Sequence, residues 1–158
     1  MKRLLELARP APRPWRVESD ATARDHHLFV LLRCVLAGLI AAHGWARWAA
    51  QGVDPFGQWL TQQGVPAGWA LAWAVTALEI AGTPLLALGF GTVPLALAFA
   101  AVYATGVALL HAKVGWFVVG LGRNGAEYSV LLITALLLVA AHHRAAPRAE
   151  GRRPPDGT

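Results

Sequence analysis

Cysteine occurs once in the 158 residues, at Cys34, so no disulfide can close within the chain. No CxxC pair is available for thiol exchange or a structural zinc. Charged residues make up only 15% of the sequence, and most of them lie in residues 1–27 and 142–158. The interior between those ends almost lacks the polar stripe at helical spacing that a soluble helical bundle requires. No HExxH spacing, phosphate-cradling glycine loop, haem-attachment motif or Ser–His–Asp pattern is visible, which sets aside the commonest sequence signatures of hydrolases, metalloproteases and nucleotide enzymes. A secretory signal is also missing: Pro10, Pro12 and Pro14 interrupt the basic N-terminal stretch, and no cleavage site follows a short apolar core.

What the chain does have is apolar length. It is 56% hydrophobic, gathered into segments near residues 28–50, 69–88, 92–111 and 126–141. Each approaches the span of about 20 residues that a hydrocarbon core requires of a helix. The expected fold is all-α, an integral membrane four-helix up-down bundle over residues 28–141. A basic cytoplasmic tail (1–27) precedes it and a basic disordered tail (142–158) follows. Lys2, Arg3, Arg9, Arg13, Arg16 and Arg24 stand on one side of the segments and Arg144, Arg148, Arg152 and Arg153 on the other, whereas the intervening outer loops hold Lys113 and Arg123. With an even number of spans, that asymmetry predicts a multi-pass protein with both termini in the cytoplasm. The net charge of +5 is then juxtamembrane charge facing anionic headgroups and gives no reason to expect nucleic acid. Trp45, Trp48, Trp59, Trp69, Trp73 and Trp116 all fall towards the outer face, as an interfacial aromatic belt would.

The connections differ in kind. Gly89-Phe90-Gly91 is a tight inner turn that makes the second and third spans antiparallel neighbours. In the first outer loop, residues 51–68, Asp54-Pro55 opens a short helix. Phe56, Trp59 and Leu60 give that helix an apolar face, and Gly64 and Pro66 end it. The second outer loop, 113–125, is glycine-rich and carries Trp116-Phe117, too apolar for a free solvent loop; it dips into the interface or caps the bundle. Pro84 lies within the second span, where it frees a backbone carbonyl and kinks the helix. Thr83 is placed to satisfy that carbonyl, and the kink serves either packing or the shaping of a site.

Glu79 is the residue that hydropathy cannot absorb. It is a lone carboxylate near the middle of the twenty-residue stretch 69–88, at a depth where a charge costs about 3 kcal/mol to insert. His43 and Arg47, four apart on one face of the first span, reach the same half of the bundle. His111 closes the third span there and Glu127 opens the fourth, followed by Tyr128. Taken singly, Arg47, His111 and Glu127 also suit ordinary interfacial positions. Together, Glu79, His43, Arg47, His111 and Glu127 are the candidate lining of a polar pocket, able to hold a proton or receive a polar headgroup. Two histidines and two glutamates on separate helices have no local metal-ligand spacing, so no metal is expected.

Three stretches carry a family resemblance: LLRCVLAGLIAAHGWARW (31–48), ALEIAGTPLLALGF (77–90) and HAKVGWFVVGLGRNGAEYSVLLI (111–133). The spacing Arg33…His43-Gly44, the Glu79/Gly82 pair before the Leu-rich turn, Gly115-Trp116-Phe117 and Asn124-Gly125-x-Glu127-Tyr128 resemble the DoxX family of small bacterial membrane proteins. Arg47 stands where many members have lysine, and His142-His143-Arg144 replaces the Gly-Pro-Gly and Ser-x-Asp sequence often found after the fourth helix. The resemblance implies four transmembrane helices in the bacterial inner membrane and an association with quinone- or thiol-linked redox systems. On it rests the expectation of a membrane subunit whose pocket takes a quinone, or another small lipophilic molecule, and which works with a soluble oxidoreductase partner. Whether the chain is itself an enzyme stays open. A non-catalytic scaffold or assembly factor and a small transporter are the alternatives; small residues at Ala96, Ala98, Ala100, Ala101, Ala104 and Gly106 would suit close packing in a homo-oligomer.

Overall fold

A computed structural model describes residues 23–119 and 124–145. Most of the two basic tails and the centre of the second outer loop lie outside the described residues. The described residues are mostly helical, joined by short turns and loops. Helix α1 spans Ala23–Ala49, with Asp25 in its first turn and Arg47 in its last, each charge matched to the helix dipole. The short α2, Val53–Gln62, buries Val53, Gly57 and Leu60. Two longer helices follow, α3 (Gly68–Leu88) and α4 (Thr92–Val114), and α5 covers Glu127–Ala145.

By length and composition, three of these helices can cross a membrane: α1 over Asp25–Ala49, α3, and α4. The fourth long helix, α5, has 19 residues and ends in His142, His143 and Arg144, which shortens its apolar part. Large apolar side chains face outward along all four, among them Leu31, Leu39, Leu85, Leu97, Leu131 and Leu138. That surface is unsuited to water and suited to lipid. The exposed tryptophans Trp45, Trp48, Trp69, Trp73 and Trp116 all sit at one end of the molecule, where α1 finishes and α3 begins.

The helices pair unequally. The main core joins Leu36 and Ile40 of α1, Leu86 of α3, Ala96 and Phe99 of α4, and Leu132, Leu136 and Val139 of α5. Helix α2 folds back on α3, where Gly57 and Gly68 allow the backbones to meet; a Cβ on Gly68 would lie 2.7 Å from the Gly57 carbonyl oxygen. The turn at Gly89 and Gly91, both with positive φ, returns the chain as the sequence leads one to expect. Helices α3 and α4 touch near that turn, where Gly82 faces Leu95 and Phe99. Beyond it α3 follows α1 and α4 follows α5. The two joined helices therefore part, and the space between them holds the candidate site.

Candidate functional site

Two π-turns border this space: Leu78–Gly82 within α3 and Val107–His111 within α4. Such one-residue expansions are rare and concentrate at functional positions. The α3 expansion has a visible local cause in Pro84, which cannot donate to the preceding turn. The Thr83 hydroxyl donates instead to the Glu79 carbonyl at 2.7 Å, with a longer contact to Ile80 O. The Glu79 carbonyl is thus satisfied within the helix, while Ile80 O, the i−4 acceptor that Pro84 leaves free, receives only the contact at 3.5 Å.

At the α3 expansion Glu79 turns towards α1 and is only 2% exposed. The two helices can approach there because Gly44 has no side chain; a Cβ at that position would lie 2.7 Å from Glu79 Cβ. One turn further along α1, Arg47 Nη1 donates to Glu79 Oε2 at 2.6 Å and to Thr76 Oγ1 at 3.1 Å. The Thr76 hydroxyl in turn donates to Ala72 O at 2.8 Å, so it is used as acceptor and donor. The Arg47 guanidinium carbon lies 4.6 Å from the Phe56 ring centroid, a cation–π contact supplied by α2. Charge, hydroxyl and aromatic face together fix one arginine geometry.

This ion pair closes one end of a cavity of about 540 Å³. Apolar and aromatic groups form most of the wall, including Phe56, Trp59, Leu71, Val75, Leu109 and Leu110. His43 and Tyr103 stand beside the pair, their rings edge to face at 6.3 Å. The buried Tyr103 hydroxyl has no hydrogen-bond partner among the described residues, although Tyr103 lines the cavity. At the other end, His111 Nδ1 meets the Asn124 carbonyl oxygen at 2.5 Å, joining α4 to the loop. Val118, Asn124 and Gly125 of that loop, and Tyr128 and Ser129 of α5, complete the lining.

Of the five residues singled out from sequence, His43, Arg47, Glu79 and His111 line this cavity and Glu127 does not. Glu127 is part of the loop's anchorage: its Oε1 accepts the Val118 N–H at 2.9 Å, and its own N–H donates to Trp116 O at 3.0 Å. Gly125 and Ala126 add backbone bonds to Phe117 and Gly115. Residues 115–118 are thereby strapped against the start of α5, beside the cavity that Val118 lines. Sequence reading placed Phe56 only on the apolar face of α2 and did not single out Thr76 or Tyr103. Tyr103 was the most legible of these, since a phenol in an apolar span asks for a partner. Among the described residues, no three His, Cys, Asp or Glu side chains come together as a metal site.

These features define a class: a small helical membrane protein with a deep cavity built on an intramembrane ion pair. The chain belongs to the DoxX family, whose family model matches residues 28–112. The match takes in α1 to the α4 π-turn, and with them both partners of the ion pair, but stops short of the loop and α5. No curated protein and no solved structure gives a significant match.

Proposed function

We propose that the protein is a four-span, up-and-down bundle of the bacterial inner membrane, with both termini in the cytoplasm. In this reading it is the membrane subunit of a redox system, and its cavity receives a quinone or a lipophilic molecule of similar shape. The observation that carries this is the buried Arg47–Glu79 pair in the wall of a mostly apolar cavity. Cavities of 300–1,000 Å³ with apolar walls and a few convergent polar groups are the usual form of small-molecule sites. The volume of about 540 Å³ falls within that range.

A quinone presents a flat apolar ring and carbonyl acceptors. The aromatic walls suit the ring. The unpartnered Tyr103 hydroxyl and the His43 ring are donors for a carbonyl, and Glu79 accepts or holds a proton beside them. Arg47 holds the Glu79 carboxyl in place through its 2.6 Å contact. The electrons come from a soluble oxidoreductase partner; this chain contributes binding, orientation and proton handling. A short-chain ubiquinone titrated into the detergent-solubilised protein tests the assignment. Tyr103→Phe and Glu79→Gln are each expected to weaken binding about tenfold, the cost of one hydrogen bond. Equal affinity in wild type and both variants would sink it.

A further inference from the structure

A second cavity, of about 90 Å³, lies at the opposite end of the bundle, near the Gly89–Gly91 turn. It is lined by Arg33 of α1, Thr92 at the start of α4, and Val139, His142 and His143 of α5, together with His26 and Phe29. Its volume corresponds to about three waters at 30 Å³ each, the size of a small tetrahedral oxyanion.

Two polar atoms on residues that line this cavity are unaccounted for. Arg33 Nε and Thr92 Oγ1 are both buried without a hydrogen-bond partner among the described residues, and Thr92 as a whole is only 2% exposed. Buried polar atoms nearly always have partners, and two unpaired atoms on one small cavity point to a third participant. Arg33 is also held in place. A Cβ on Gly89 would lie 3.0–3.2 Å from Nη1, Cζ and Nη2, so the guanidinium packs closely on the glycine that ends α3. His142 is fixed as well, stacked on Phe29 at 3.7 Å between centroids.

The lining chemistry has one sign. It offers a guanidinium, a hydroxyl and three imidazoles, and no acidic side chain among the described residues lines it. Thr92 opens α4, so the positive dipole end of a long helix lies beside the cavity. At the same end of the bundle, Leu28, Leu31, Leu88 and Phe90 are exposed, an apolar surface suited to acyl chains.

We infer that Arg33 and Thr92, flanked by His142, form a binding site for a phosphate oxyanion at the end of the bundle opposite the ion-pair cavity. The phosphate belongs either to a phospholipid headgroup or to a free phosphate. The site is independent of the quinone reading, because the two cavities share no lining residue.

The test uses the full chain, delipidated in a neutral detergent, with two probes. Native mass spectrometry measures retention of added phosphatidylglycerol, and phosphorus NMR measures saturable binding of inorganic phosphate. Arg33→Gln and Thr92→Val are each expected to lower occupancy about tenfold, as loss of a hydrogen bond to a charged group should. Binding of phosphatidylglycerol that inorganic phosphate cannot displace identifies a lipid headgroup. Saturable binding of inorganic phosphate alone identifies a free anion. Both results support the site, provided the two variants lose them. No binding of either probe, or equal occupancy in wild type and variants, overturns it. If Arg33→Gln fails to fold, the near-isosteric Thr92→Val decides alone.

Discussion

Separating Arg47 from Glu79 should show how strongly the ion pair couples α1 to α3. Nη1 reaches Glu79 at 2.6 Å and Thr76 at 3.1 Å, and the guanidinium carbon lies 4.6 Å from the Phe56 centroid. Arg47→Met therefore removes a charge-assisted bond, a neutral bond and a cation–π contact. It also strands a carboxylate that is 2% exposed. Breaking a buried pair from one side costs about 3–5 kcal/mol. The Arg47 side chain keeps 19% of its exposure, which places the expected loss near the lower bound, about 3 kcal/mol. Glu79→Gln retains an oxygen that accepts from Nη1 and should cost less, about 1.5 kcal/mol. With both changes made, the stranded charge no longer exists, so the double variant should lose about 2 kcal/mol less than the sum of the singles. Equilibrium unfolding in mixed micelles measures all three. A coupling energy below about 0.5 kcal/mol would refute the claim that this pair fastens the two helices.

Three further outcomes rest on separate contacts. Gly44→Ala places a Cβ 2.7 Å from Glu79 Cβ and should destabilise the same transition by about 1–3 kcal/mol, while lowering quinone affinity because α1 is displaced. Thr83→Val removes the 2.7 Å bond to the Glu79 carbonyl; a loss of about 1 kcal/mol is expected, and faster amide exchange around the π-turn in hydrogen-exchange mass spectrometry would report the local loosening. Glu127→Ala deletes the acceptor of the Val118 N–H at 2.9 Å. Amide exchange in residues 115–118 should then accelerate while exchange in α3 is unchanged.

The fold was legible where composition and spacing act alone. Apolar length located the long helices, the Gly89-Phe90-Gly91 turn returned the chain, and the Phe56/Trp59/Leu60 spacing revealed α2. The site was legible in part. Glu79 stood out because an isolated charge violates the hydropathy of its segment, and His43 and Arg47 followed from helical spacing on the facing span. The parting of α3 and α4 could not be read, because it depends on which helix each prefers as neighbour, a matter of shape along whole faces. Thr76 and Tyr103 were hidden for the same reason: their roles exist only once α1 and α4 are placed. Glu127 was assigned to the pocket from its depth, yet depth does not fix direction around a helix axis, and its carboxylate reaches the loop backbone instead. At the far end, the packing of Arg33 on Gly89 was hidden for the same reason, since it exists only once α1 and α3 are placed.

The central claim, that the cavity beside the Arg47–Glu79 pair is the ligand site, is tested most directly by photolabelling with an azido-quinone, with adducts mapped by mass spectrometry. Adducts are expected on cavity-lining residues of α3 and α4, such as Leu71, Val75, Tyr103 and Leu109. They should disappear with excess unlabelled quinone and fall sharply in Glu79→Gln. Labelling spread over the outward-facing leucines, insensitive to competitor and unchanged in Glu79→Gln, would contradict it.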